Sequence, residues 1–432
     1  MQQPLISNRV SHNASSTMPR RYKIRFPDVE SYEAAQTLAT GNSNAVRPRG
    51  AQEFGRSLVR VKNDKRRYIS VEPATQLPEA VGEERLGRQL ESFYKQFGGN
   101  IVEDYRYNLE ADIFDPSAFS PDDPHAPSLD DVLTLIEAQN AWQKSTGENV
   151  TIAVIDTGID GTRPEFPASK RVGQWQPLND TPWTDPHGHG TMCAAIAAGT
   201  RSEGGAFDGV APGATLIACK TGFFDSELAA IYDYLIGLVQ AQDMTVIATN
   251  SFGIFTGTPP PVPTDSDFIP ALDDALAAGV KVFFSAGNYH AEAGGSSEKC
   301  EPNSIWLYKC RVDVMTVATC NMDGEMWYYS SRGPGQHFGE PDTNSKPDVT
   351  APTPPHGRIL YGSTIKSLPN GWGTSGACPQ VAGLAALLLS KNPKLTTNQL
   401  FDYIRNSAIQ LDHNPACCGA GIINCKRAID SF

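Results

Sequence analysis

Long apolar runs are missing from this 432-residue chain. The longest, such as Leu384–Leu389, stop far short of the roughly 20 residues a bilayer requires, so no membrane span is expected. Residues 1–19 lack the apolar segment of a secretory leader. The chain is then cytoplasmic if the sequence is complete, with a secreted protein shorn of its leader as the alternative. No Cys-x-x-Cys pair comes with a second pair, or with a His-x-x-x-His, to complete four ligands, so no cysteine is assigned to a metal. Lysine and arginine are neither dense nor set within a binding motif, which disfavours a nucleic-acid partner. No internal repeat is present.

Nine cysteines is an odd number, so at least one thiol has no partner within the chain. Cys300 with Cys310, and Cys417 and Cys418 with Cys425, are groups that could form disulfides in an oxidising compartment. The net charge of −12 is unevenly spread. The first hundred residues hold 16 Lys and Arg against 10 Asp and Glu, and the remainder 20 against 38. A basic segment docked on an acidic domain would show this split.

Residues 1–19 read as a disordered polar tail. Residues 20–110 read as a small α+β domain. Residues 21–26 alternate as a strand, 32–40 are helical, 58–61 and 67–71 form a hairpin, 77–97 carry a helical stripe ending at Gly98-Gly99, and 101–109 return to strand. That order, β-α-β-β-α-β, suits a split βαβ fold. Residues 111–127, rich in Asp, Pro and Ser, form a linker. From 128 to 432, after a helix over 129–142, β-branched strands alternate with helices, the mark of an α/β fold whose parallel sheet is covered by helices on both faces.

Three stretches carry chemistry. Strand 151–155 runs into Asp156-Thr157-Gly158, setting a carboxylate at the carboxyl edge of a buried strand, where sites of open α/β sheets gather. An aspartic protease would need a second such triplet, and the chain has none. In Asp185-Pro186-His187-Gly188-His189-Gly190-Thr191, His189 opens a helix of small residues that packs closely on the sheet; His187 and His189 lack a third metal ligand. In Gly373-Thr374-Ser375-Gly376-Ala377-Cys378-Pro379, a glycine-rich turn presents a serine at a helix start, with Pro379 four residues into a helix beginning at Ser375.

Asp156, His189 and Ser375, in that order and with these local sequences, resemble the subtilisin family of serine proteases. Gly209-Val210-Ala211-Pro212-Gly213, Ser285-Ala286-Gly287-Asn288, Ser330-Ser331-Arg332-Gly333-Pro334 and Pro347-Asp348-Val349 are similar to further blocks of that family, across about residues 128–410. The resemblance implies an endopeptidase acting through an acyl-enzyme on protein or peptide substrates, with Ser375 as nucleophile, His189 as base and Asp156 as its orienting carboxylate. It assigns Asn288 to the oxyanion hole. It assigns Ser251, Phe252 and Gly253 to the substrate-pairing strand, with Ala286 and Gly287 beside it. Ile254 departs from the family's usual glycine. Cys193 is similar to a thiol near the histidine of some members, and Cys378 follows the nucleophile closely. No cofactor is required for the chemistry; a structural calcium ion is compatible, with no ligand set identified and Asp160 and Asp208 read as solvated. The first domain then resembles a propeptide, an intramolecular inhibitor that makes the protein a zymogen cut between Leu109 and Ser128. A catalytically inactive binding protein of the same fold is the alternative. An α/β-hydrolase with Asp412-His413 would need a glycine where Ala377 stands.

Overall fold

The computed structural model describes residues 21–40, 59–72, 97–109, 122–253, 265–296, 298–337 and 346–432, with 87, 90, 120, 340 and 341. The expected tail over 1–19, most of the helix expected over 77–97 and most of the linker over 111–127 lie outside these residues, as does Ile254. Gly87, Leu90 and Phe97 are helical.

The first part is a four-stranded antiparallel sheet of β1 (Tyr22–Arg25), β2 (Val59–Asn63), β3 (Tyr68–Val71) and β4 (Asn100–Glu103), in the order β2-β3-β1-β4. With helix α1 (Val29–Thr40) between the first two strands, this is the split βαβ arrangement. Period-two alternation gives β1 two different faces. Ile24 packs in a small core with Phe26, Tyr32, Ile69 and Leu90, whereas Arg21, Lys23 and Arg25 point at acidic residues of the larger part.

The larger part is built on seven parallel strands: β6 (Val150–Asp156), β7 (Arg171–Trp175), β8 (Thr215–Lys220), β9 (Thr245–Asn250), β11 (Lys281–Ser285), β12 (Met315–Cys320) and β13 (Val349–Pro352). Their order is β13-β12-β11-β9-β6-β8-β7. All seven residues of β6 are buried, as a strand covered on both faces must be. One face carries helices α3 (His189–Ala198) and α6 (Gly373–Lys391), and the other α4 (Asp225–Gln242) and α5 (Phe268–Ala277). Among the described residues no helix is long and apolar enough to cross a membrane.

Three expectations are corrected. Residues 101–109 are not one strand. Asp104 is buried and accepts hydrogen bonds from Ser70 Oγ, Ser226 N–H and Ser226 Oγ, which turns the chain off the small sheet. Asn108–Leu109 then form β5, paired antiparallel with β10 (Phe252–Gly253). Residues 129–142 are not one helix: α2 (Leu129–Leu135) ends before Glu137, whose φ of 54° is left-handed, and a short turn over Ala138–Ala141 follows. The two cysteine groups bond to each other and not internally, through Cys300–Cys417, while Cys310, Cys418 and Cys425 are buried thiols.

Candidate active site

β6 ends in Asp156. Its carboxylate accepts from the Thr157 N–H at 2.7 Å and faces His189 Nδ1 at 2.8 and 3.0 Å. Both side chains are at most 1% exposed, so little water competes for the pair. A proton held at Nδ1 by this carboxylate makes the far ring nitrogen the basic one.

The imidazole is fixed because the helix carrying it is fixed. Gly188 (φ 96°) turns into α3, and Asp185 accepts from the N–H of Gly188 and Thr191 and from the hydroxyls of Thr191 and Thr157. Thr157 Oγ1 accepts in turn from Gly190 N–H. Strand end and helix start are thereby clamped, and N–H groups that a helix start leaves without partners are satisfied. A Cβ at Gly190 would sit 2.1 Å from the Gly158 carbonyl and 3.0 Å from Asp156 Cβ, so only glycine allows this approach. Sequence reasoning missed the part played by Asp185; an Asp just ahead of a helix of small residues was the available signal.

Ser375 is fully buried in α6, which starts at Gly373 and not, as expected, at Ser375. Pro379 is therefore the seventh helical residue, where its missing N–H deprives the carbonyl four residues earlier, that of Ser375, of its helical partner. That carbonyl accepts instead from Ser251 Oγ and from Cys193 Sγ, each at 3.5 Å. Cys193 Sγ is also 3.9 Å from His189 Nδ1. The proline thus opens the helix where the serine residue can be tied to the histidine helix and to the end of β9. Burial, and then Asp156, push the Cys193 thiol well above its ordinary range, so it acts as packing and a weak donor and not as a thiolate. Cys378 Sγ lies 3.4 Å from Thr249 Oγ1.

Ala286, Gly287 and Asn288 follow β11 and lead to the same place. Asn288 Oδ1 accepts from Thr374 N–H at 3.0 Å and Thr374 Oγ1 at 2.9 Å, and Gly287 N–H donates to Thr374 Oγ1. The amide NH2 of Asn288 is consequently turned away from Thr374, one residue before Ser375. His187 stacks edge-on at 6.2 Å from His189 and meets Tyr361; burial, then the neighbouring His189, lower its pKa. Among the described residues, the His, Cys, Asp or Glu side chains grouped at ligand spacing are Asp156, His189 and Cys193. Asp160 and Asp208 serve local turns: Asp160 accepts from Thr162 N–H and Oγ1, and Asp208 from Arg201 N–H.

The strand that passes the serine is already paired. Leu109 lies opposite Phe252 and Asn108 opposite Gly253. On its other side the same segment bonds to residues 223–225: Tyr107 N–H donates to Phe223 O at 2.8 Å, and Asp225 N–H to Tyr105 O at 2.7 Å. Residues 105–109 are therefore an extended middle strand heading for Ser251. Behind them the two parts lock through buried ion pairs, Arg21–Glu227 at 2.5 Å, Lys23–Asp225 at 2.9 Å and Lys23–Asp267 at 2.6 Å.

A buried carboxylate–imidazole pair beside a helix-borne serine, at the carboxyl edge of a parallel sheet and along a peptide-pairing strand, defines a hydrolase of the acyl-transfer class. Residues 147–421 match the model of the subtilase family, Peptidase_S8. Subtilisin E of Bacillus subtilis is 32% identical over 291 residues, covering 66% of this chain and 67% of that one. A calcium-dependent protease of Nostoc sp. is 30% identical over 301 residues, 63% of this chain and 43% of that one. Fervidolysin of Fervidobacterium pennivorans, a keratinolytic enzyme, is similar in fold, with a TM-score of 0.56 at 18% identity over 96% of this chain and 61% of its own. The chain belongs to the subtilase family and is a serine endopeptidase.

Proposed function

We propose that the chain is a subtilase zymogen in which the domain over residues 20–110, followed by a linker over 111–127, inhibits the catalytic domain over 128–432. The observation that carries this reading is the pairing of β5 with β10, which seats the chain's own backbone where a peptide substrate would lie. In the mechanism, the Ser375 hydroxyl attacks a peptide carbonyl while His189 takes its proton and returns it to the leaving amine. Asp156 holds the imidazole in the productive tautomer and stabilises its charged form. The NH2 of Asn288 and the backbone N–H of Ser375 meet the oxyanion. Ser251, Phe252 and Gly253 pair with the substrate backbone, and Ala286 and Gly287 form the opposing wall. No triad position is substituted, which disfavours the inactive-protein alternative.

A structural calcium ion, apart from the chemistry, is proposed by likeness to the calcium-dependent protease. Asp160 and Asp208 are not assigned to it, since each uses its Oδ1 to hold a local turn. The Cys300–Cys417 bridge favours the secreted alternative. Mass spectrometry of purified wild-type and Ser375→Ala protein tests the zymogen reading. The wild type sheds an N-terminal fragment ending beyond Leu109, and the variant retains it; loss at equal rates from both would overturn self-cleavage.

A further inference from the structure

Tyr107 is 1% exposed although it lies on an extended segment with no helix or sheet of its own to bury it. Its ring is held edge-on by Phe268 at 5.3 Å, Phe252 at 5.9 Å and Tyr308 at 6.0 Å, all from the larger part. At the far end of this cage its hydroxyl meets Asp225 Oδ1 at 3.4 Å. The acceptor does not depend on the N-terminal part. Asp225 is the first residue of α4, and it accepts from Ser266 Oγ and from the N–H groups of Asp267 and Phe268 at the start of α5. Its other bond, to Lys23 at 2.9 Å, is made on the second oxygen. One carboxylate thus reads the tail through Oδ1 and the small sheet through Oδ2.

We infer that Asp225 is a specificity-determining residue: it makes this aromatic cage select tyrosine over phenylalanine four residues ahead of the cleaved bond. The inference rests on the proposed substrate strand. Ser251 Oγ touches the Ser375 carbonyl, so a peptide residue opposite Ser251 is the one beside the nucleophile. Residues opposite Phe252 and Gly253, held now by Leu109 and Asn108, are second and third, and the cage takes the fourth. Magnitude separates this from an all-or-none filter. A site whose polar groups are stranded by the wrong ligand can reject it by about 10⁴-fold. Asp225 keeps its three other donors from the larger part, so phenylalanine forfeits only the contacts of the hydroxyl itself, with Asp225 and Ser266, about fivefold.

The test measures kcat/KM of the purified protein, once it has shed its N-terminal fragment, on quenched peptides that differ only at that fourth position. Tyrosine should exceed phenylalanine by about fivefold, and both should far exceed alanine because of the cage. In Asp225→Asn the Tyr:Phe ratio should fall by at least about twofold while Phe:Ala persists, a contrast that partial misfolding does not produce. A readout free of activity is hydrogen exchange at residues 105–109 in the Ser375→Ala chain, where adding Tyr107→Phe should reduce protection by about fivefold. Equal cleavage of the tyrosine and phenylalanine peptides, or unchanged protection in the Tyr107→Phe chain, would overturn the role of Asp225. Failure of every peptide to be cut after the N-terminal fragment has been shed, with no fluorophosphonate labelling of Ser375, would instead strike the protease assignment.

Discussion

Two buried polar clusters organise this molecule, and they are assembled in opposite ways. At the active site, Asp156 and His189 stand 33 positions apart, each on the edge of an element that the local sequence builds. At the interface, Arg21 meets Glu227 across 206 positions and Lys23 meets Asp225 across 202. Only the alternation of β1 aims those cations. The first cluster needs particular atoms for chemistry, so few residue types fit. The second needs only opposite charge in a dry place, which many sequences supply. A cluster of the first kind acts by where its protons go. One of the second kind acts by what it keeps in place.

Breaking each cluster singly sharpens the contrast. The largest effect is expected for Ser375→Ala, which should lower peptide hydrolysis by about 10⁶-fold while leaving the tail's hydrogen-exchange protection intact. If activity fell little, the nucleophile is elsewhere. Next comes Lys23→Met in the Ser375→Ala background. It strands Asp225 and Asp267 beside an apolar side chain, and removing one partner of a buried pair costs about 3–5 kcal/mol. Protection of residues 105–109 should drop more than a hundredfold, and an unchanged exchange rate would deny the ion pairs any part in docking.

Ser251→Ala is a smaller break on the catalytic side. It removes a donor to the carbonyl that Pro379 leaves without a helical bond, and should lower stability by about 1 kcal/mol in denaturant unfolding. An unchanged midpoint would mean that the Ser251 bond adds nothing to the hold on this carbonyl. The smallest effect is one of pH. Burial alone would lower the Lys23 pKa, but Asp225 and Asp267 outweigh it and the result is raised above the ordinary 10.5. The contribution of Lys23 is therefore complete below 10.5 and lost only as pH rises through the higher folded value. The melting-temperature gap between the Ser375→Ala chain and its Lys23→Met derivative should hold from about pH 6 to about pH 9 and shrink only in stronger alkali. A gap that collapses near neutrality would contradict the sign of this shift.

The same contrast explains what the sequence disclosed. The Asp156–His189 contact was legible because a strand end, glycines and small helix residues surround it for local reasons. The parallel sheet was legible because strands buried on both faces are apolar throughout, as in β6. The break at Asp104 was not, since it is set by Ser226, 122 positions away. Nor was the start of α6 two residues before Ser375, because a proline at the seventh position reads locally as a first-turn residue. For the interface, the sequence showed an excess of positive charge facing an excess of negative charge, without pairing or register.

The most direct measurement is the rate at which a fluorophosphonate labels Ser375 in the intact chain and in the Lys23→Met and Tyr107→Ala chains. If a complete active site is covered by the chain's own strand, the intact protein reacts slowly and both variants react much faster. Equal labelling of all three would contradict that account.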